Sequence, residues 1–291
     1  MSHEIEYWTR WLLHTRFRGP HGREALDFLL SIRDTVLDRA HLRPGDVALD
    51  VGSGDGLLAF GALHRIAPNG VVIVDDVSED LLDACARVAV EAGVEDRLRL
   101  VQNSASDLHD IPDASVDAVL TRSVLIYVAD KAAAAHEFRR VLRPGGRLSL
   151  FEPISRVGVD GPRFGIDPGP VSELAARVEQ AFRALQPPET DPLLNFDERD
   201  LLRLFEEAGF SHLDLEYRVS VKRLQRDPAW FLTLLDSPSN PRIPSLRQAI
   251  TQALSPGEAA TYLAYYLHAV GTSPILTRQA VAYLSGSVEQ V

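Results

Sequence analysis

Three glycines at alternate positions, Gly52, Gly54 and Gly56, occupy the run LDVGSGDGLL, with Asp50 ahead of them and Asp55 among them. Glycine has no Cβ and reaches positive φ freely, so the backbone here can come within contact distance of a ligand. The spacing is G-x-G-x-G followed by Leu57, not the G-x-G-x-x-G that seats a pyrophosphate on a helix N-terminus. Two carboxylates around such a turn repel a diphosphate and suit an ammonium group. The expected ligand is therefore cationic at this end, and a plain tight strand-to-helix turn is the alternative.

About 25 residues later a second apolar run, VVIVDDVSEDLL, ends in Asp75 and Asp76. A carboxylate beyond the end of a neighbouring strand can accept hydrogen bonds from both hydroxyls of a ribose. Asp76 is the better placed, since it precedes Val77 and the helix-capping Ser78, whereas Asp75 can still belong to the strand. A capping role for this acid is the competing reading. Further along, Tyr127 and Glu152 follow the fourth and fifth strand candidates, where a general base would be useful. Glu152, in the triplet FEP, could equally anchor a neighbouring amide. Nine histidines are present, none in a metal-spaced cluster. His136 is expected to face solvent and His109 lies in a loop, while His14 and His21 are nearer the N-terminal helices.

These residues have to be positioned by something, and the pattern from about 46 to 152 supplies it. Short β-rich runs (Val47–Val51, Val71–Asp75, Leu98–Val101, Ala118–Thr121 and Arg147–Glu152) alternate with helical ones, which implies parallel strands joined by crossover helices. Ser78 is placed to cap a helix running through Leu81, Leu82 and Val88, with Gly93 as its left-handed stop. Asp130–Leu142 reads the same way, ended by Pro144-Gly145-Gly146. After Glu152 a Pro/Gly-rich insertion gives way to a helix between Asp197 and Gly209. A strand follows with Leu213, Leu215, Tyr217, Val219 and Val221 facing one way, and its antiparallel edge partner is expected at Thr277–Ser285. Residues 227–272 read as a helical excursion, including a helix opened by the capping box Ser255-Pro256-Gly257-Glu258. Two helices, about Tyr7–Arg16 and His21–Ala40, are expected before the first strand.

Taken in order and spacing, LDVGSGDG, VDDVSEDLL and DASVDAVLTRSVLIYV…EFRRVLRPGGRLSLFEP resemble the class I S-adenosylmethionine-dependent methyltransferases over about residues 46–155. The resemblance implies an α/β fold with a Rossmann-like sheet, mostly parallel with an antiparallel edge strand, plus a helical cap (1–45) and a methyltransferase domain (46–291) carrying lid or substrate insertions at about 153–196 and 227–272. It puts Asp50, Gly52, Ser53 and Gly54 against the methionine and ribose portions of S-adenosyl-L-methionine, Asp76 on the ribose hydroxyls and Val77 on the adenine. In the loop after the third strand, Ser104 stands where the family commonly has an acid meeting the adenine amino group. The amide of Ala105 remains available to the ring, with Ser106 beside it. Thr121, Arg122 and Ser123 are expected at the methionine end. The aromatic stretch Tyr7-Trp8…Trp11…Arg16 is either a face packed on the sheet or a lid, in which case Tyr7, Trp11 or Arg16 would meet the sulfonium or the carboxylate.

Composition narrows the acceptor. A net charge of -11 is the wrong sign for a phosphate backbone, so a small molecule is favoured over nucleic acid. Phe164, Phe182, Trp230, Phe231, Tyr262 and Tyr265 in the insertions are expected to line a mostly apolar acceptor cavity. One cysteine, Cys85, allows neither a disulfide nor a cysteine metal site. No apolar run reaches the roughly 20 residues that span a bilayer, and the N-terminus has no signal-peptide pattern, so a cytoplasmic protein without membrane association is expected. Lys131 and Lys222 are the only lysines beside 30 basic residues in all, a usage that points to a GC-rich bacterial genome. A fold relative that binds the cofactor for another purpose, an RNA or protein methyltransferase and a nicotinamide dehydrogenase are the competing classes.

Overall fold

Strands buried on both faces read as mostly apolar runs, and Val47–Val51 and Val71–Asp75 are apolar apart from Asp50 and Asp75. The computed structural model describes residues 22–158, 162–237 and 245–290. Its strands are β1 (Val47–Val51), β2 (Val71–Asp75), β3 (Leu98–Val101), β4 (Val116–Arg122), β5 (Leu142–Pro153), β6 (Ser211–Leu224) and β7 (Ile275–Ser287), in the sheet order β3-β2-β1-β4-β5-β7-β6. β3, β2, β1, β4 and β5 are mutually parallel, and β7 runs antiparallel to β5. The chain builds outward from β1 to β3 and then returns to β4, so the order reverses between β1 and β4. At such a reversal the loops beyond the strand ends diverge and leave a crevice for ligands.

The helices are α1 (Gly22–Arg39), α2 (Leu57–Arg65), α3 (Glu79–Ala92), α4 (Lys131–Val141), α5 (Ser172–Leu185), α6 (Glu198–Glu207), α7 (Pro228–Leu235), α8 (Leu246–Ala253) and α9 (Pro256–Thr272). Their ends follow the residue chemistry. Ser78 accepts from the Leu81 amide and Gly93 closes α3 at φ 64°, Asp130 caps α4 through Ala133, and Asp197 caps α6. The Glu258 carboxylate accepts from the Ser255 amide at 2.8 Å, as the capping box requires. The helix α3 runs through Leu81, Leu82 and Val88 as expected, with Leu81, Leu82, Cys85 and Ala89 forming its inward stripe and Val88 exposed. One local expectation changes. β5 begins at Leu142 rather than Arg147: Leu142 pairs with Val116, and an irregularity carries the Pro144-Gly145-Gly146 segment before the ladder resumes at Arg147.

The chain forms two compact units. The first comprises residues up to Pro153, Phe196–Tyr217 and the segment from Val281. In its core Leu29, Ile32, Val36 and Leu37 of α1 meet Ala59, Ala62 and Leu63 of α2 over Ala48, Val72, Val74 and Leu120 of the sheet. The Ser149 hydroxyl donates to the Val36 carbonyl at 2.8 Å, satisfying a buried polar group where α1 crosses β5.

The second unit comprises Ile154–Asn195 and Arg218–Ala280, and the insertions expected at 153–196 and 227–272 fall largely within it. Here the aromatic residues correct the reading given above. Phe231 and Tyr262 are fully buried with Tyr266. Phe164 meets Trp230 and Phe231 edge-on at 5.7 and 5.9 Å, Tyr262 packs on Tyr266 at 4.7 Å, and Phe182 lies under the Arg163 guanidinium. Tyr265 donates to the Asp167 carbonyl. Short helices such as α7 and α8 are unstable alone. Large rings are what this unit has to hold them together: Phe231, Tyr262 and Tyr266 lie in its core, with Phe164, Phe182, Trp230 and Tyr265 partly buried against it. Among the described residues no helix is long and apolar enough to cross a membrane.

Candidate functional site

The turn between β1 and α2 is built on left-handed glycines. Gly52 has φ +63°, and a Cβ there would lie 2.5 Å from Cγ2 of Val124, far inside van der Waals contact. The Ser53 amide donates to the Asp75 carbonyl at 2.9 Å, and its hydroxyl donates to the Asp50 carbonyl at 2.7 Å. The Asp50 side chain lies behind the turn: its Oδ2 accepts from the Ala59 amide in the first turns of α2 and the residue is 1% exposed. Burial pushes its carboxyl up to about 8, against the pull of the Arg122 charge. Of the two acids expected to greet an ammonium, Asp50 has one oxygen engaged by the helix. Asp55 is half-buried and its Oδ1 is enclosed without a hydrogen-bond partner among the described residues.

Asp76 occupies the loop after β2, as its position before Ser78 suggested. One oxygen accepts from the Gly54 amide at 2.8 Å and the other from the Ser78 amide at 3.0 Å. It thereby ties the glycine turn to the β2 loop. A carboxylate offers about four acceptor positions, so two amides leave room for a pair of hydroxyls. Burial raises its pKa and the amides oppose that rise. Asp75 ends β2 and serves the scaffold: it accepts from the Asn103 amide at 3.0 Å and is pushed up to about 8 by burial. Val77, next to Asp76, is 47% exposed, which is unusual for a valine at a buried strand's end and provides an apolar surface for a flat ring. Gln102 donates to the Val77 carbonyl, joining the β2 and β3 loops. In the β3 loop Ala105 is buried, while the Ser104 and Ser106 hydroxyls pair at 3.0 Å.

The β4 loop forms the other wall. Thr121 is fully buried, its hydroxyl without a partner among the described residues. Ser123 has φ 58° and donates to the Phe151 carbonyl at 2.8 Å. Beyond it the amides of Val124, Leu125 and Ile126 all donate to Glu152, at 2.9, 2.9 and 3.3 Å. Glu152 is fully buried, and desolvation raises its carboxyl to about 7 against these three donors. Three amides converge on it, so it anchors the loop, the second of the two roles considered for it. Tyr127 follows, half-buried, its amide donating to the Val124 carbonyl. Val124 itself was not singled out in the sequence. Gly52 signals that something must press on the turn, but a motif does not say which distant side chain does so.

His109 and His136 are exposed. Tyr7, Trp11 and Arg16, with Trp8, His14 and His21, lie outside the described residues. A cavity of about 420 Å³ lies between α1 and α2, lined by Arg33 and Asp34 on one side and Asp55, Phe60 and His64 on the other.

The strand order reverses between β1 and β4, beside a left-handed glycine turn, a buried acid held by two amides and an exposed valine. Comparison with known proteins agrees with this arrangement. Residues 49–150 match the family described as "Methyltransferase domain". The chain is 32% identical over 145 residues to the nocamycin O-methyltransferase of Saccharothrix syringae, covering 49% of this chain and 50% of that protein. It is 30% identical over 180 residues to the ubiquinone/menaquinone biosynthesis C-methyltransferase UbiE of Hahella chejuensis, covering 60% and 70% respectively. Among solved structures, a geranyl diphosphate methyltransferase in complex with S-adenosylmethionine superposes with a TM-score of 0.52 at 18% identity, covering 95% of each chain. The chain spans 36% and 50% of the length of the first curated relatives it matches. With the UbiE protein matched over more than two thirds of its length and the sheet order as described, this chain belongs to the class I S-adenosylmethionine-dependent methyltransferases.

Proposed function

We propose that this protein uses S-adenosyl-L-methionine to methylate a small, partly apolar organic metabolite by in-line displacement. The observation that carries the reading is Asp76, tied by two amides at the mouth of the crevice beside an outward Val77. The bound donor supplies a methyl group on a positively charged sulfur. The chain's tasks are then to hold that group, exclude water and align an acceptor.

In this reading the free acceptor positions of Asp76 take the ribose hydroxyls, Val77 and Ala105 flank the purine, and Gly52, Ser53 and Gly54 let the backbone approach the ribose and methionine portions. Ser104 and Ser106 give the ring edge hydroxyls in place of an acid. Asp55 suits the ammonium better than Asp50. On the other wall Glu152 holds the backbone that presents Thr121, Arg122, Ser123 and Tyr127, and it acts by positioning rather than by taking a proton. Tyr127 is the remaining candidate for contact with the acceptor hydroxyl or carbon. A small acceptor is supported by the net charge of -11, unfavourable for nucleic acid, and by the relatives' own small-molecule names.

The test is calorimetry with S-adenosylhomocysteine and no added metal. Saturable heat is expected, and none at high protein concentration would sink the assignment. Mass spectrometry of a panel of phenols, enols and amines incubated with donor and enzyme then reads the acceptor, a gain of one methyl group being the expected signal. Micromolar RNA binding that falls steeply with salt would reverse the choice of acceptor class.

A further inference from the structure

Half-buried arginines in the first unit generally hold something. Arg97 donates to the Leu63 and Gly70 carbonyls, Arg140 is paired with Glu137 and Asp113, and Arg147 with Asp46. Arg122, at the last position of β4, is half-buried, and its side chain has no hydrogen bond or ion pair among the described residues.

Its direction follows from register. Asp50 of β1 pairs with Leu120 of β4, and Arg122 pairs with Phe151 of β5. Paired residues of parallel strands project to the same face and alternate residues share it. Asp50, Leu120, Arg122 and Phe151 therefore project to one face, the face on which Leu120 and Phe151 pack with α1 and α2. Arg122 thus stands at the carboxyl end of β4, beside the strand-order reversal and on the same face as Asp50. Asp50 is close enough for the two charges to influence each other, yet they form no ion pair, and the carboxyl is bonded to Ala59 and held largely protonated near neutrality. A partly desolvated guanidinium keeps its charge and presents a planar fork of donors suited to an oxyanion.

We propose that Arg122 is an oxyanion receptor in this crevice, binding a carboxylate or an ionised hydroxyl of a small organic ligand. The inference rests on the reading of the crevice as a donor site. The oxyanion has two sources, the α-carboxylate of the donor and an acidic oxygen of the acceptor. In the second case the guanidinium would also favour the ionised, nucleophilic form of an acceptor whose proton no carboxylate in the β4 loop is free to take.

The experiment compares wild type, Arg122→Gln and Arg122→Lys by calorimetry, with S-adenosylhomocysteine, its decarboxylated analogue, and 4-hydroxybenzoate with and without S-adenosylhomocysteine. If the donor carboxylate is the ligand, Arg122→Gln weakens S-adenosylhomocysteine binding tenfold or more and leaves the decarboxylated analogue unchanged. If the acceptor oxygen is the ligand, both nucleosides bind the variant normally and 4-hydroxybenzoate binding falls tenfold or more. In either arm Arg122→Lys retains part of the affinity. Equal weakening of both nucleosides assigns Arg122 a structural role and overturns the proposal, as does an unchanged affinity for all three probes. Wild type that ignores S-adenosylhomocysteine breaks the donor reading separately, since the 4-hydroxybenzoate arm without nucleoside still reads Arg122.

Discussion

The two units use their side chains in opposite ways. In the first, acids are buried and joined to backbone amides: Asp50 to Ala59, Asp75 to Asn103, Asp76 to Gly54 and Ser78, Glu152 to three successive donors. In the second, the corresponding work is done by rings, with Phe231, Tyr262 and Tyr266 buried against one another. A directional hydrogen bond places a loop to within tenths of an ångström but must be complete to be tolerable. Ring packing is forgiving in geometry and yields bulk stability. The first arrangement suits a site and the second a scaffold.

The contrast is most sharply broken in the ring-packed unit. Phe231→Ala is expected to lower its stability by about 3–5 kcal/mol, as for other fully buried aromatics, read by denaturant unfolding followed in the near ultraviolet. A loss below about 1 kcal/mol would show that the rings are not the core. In the acid-bearing unit Gly52→Ala sets a Cβ against Val124 at a left-handed position. Strain and overlap together are expected to cost about 2–4 kcal/mol, measured as lost stability and lost S-adenosylhomocysteine affinity. Adding Val124→Ala should return the part due to overlap and leave the part due to φ. A double variant no better than Gly52→Ala would remove Val124 from the account.

Next in size is Asp76→Ala, for which a loss of about 1.5–3 kcal/mol in S-adenosylhomocysteine binding is expected. Unchanged affinity, with Asp75→Ala losing it instead, would move the ribose contact to Asp75. The remaining expectation concerns pH. Glu152 is raised to about 7, and Asp50 and Asp75 to about 8, by burial. The folded state therefore binds more protons than the unfolded one between roughly pH 4.5 and 8, and stability is fully present at the acid end and lost as pH rises through that window. A decline across that window is expected by urea titration at a series of pH values. Glu152→Gln should flatten the stretch below about 7, and a stability that increases with pH would refute the assignment.

The same contrast explains what could be read from the sequence. The Ser78 cap, the Gly93 stop and the loop position of Asp76 depend on residues a few places apart, and they are where spacing put them. The five parallel strands follow from apolar runs of the right length. By contrast, the inward turn of Asp50, the pressure of Val124 on Gly52 and the convergence of three amides on Glu152 depend on partners 9, 72 and up to 28 positions away. The aromatic insertions were open to misreading for a related reason. Rings at helical spacing signal burial without saying whether a ligand or another ring covers them, and in this unit it is another ring.

Glu152 carries one more implication. It holds the segment from Val124 to Ile126 by main-chain amides, so these bonds can form whatever side chains the loop displays. Leu125 and Ile126 are buried and Val124 faces Gly52, which leaves the half-buried Tyr127 as the position where a side chain can change without rebuilding the wall. Changes of substrate among proteins sharing this glutamate should accordingly arise at Tyr127 sooner than at its buried neighbours, with the acid beneath the loop kept constant.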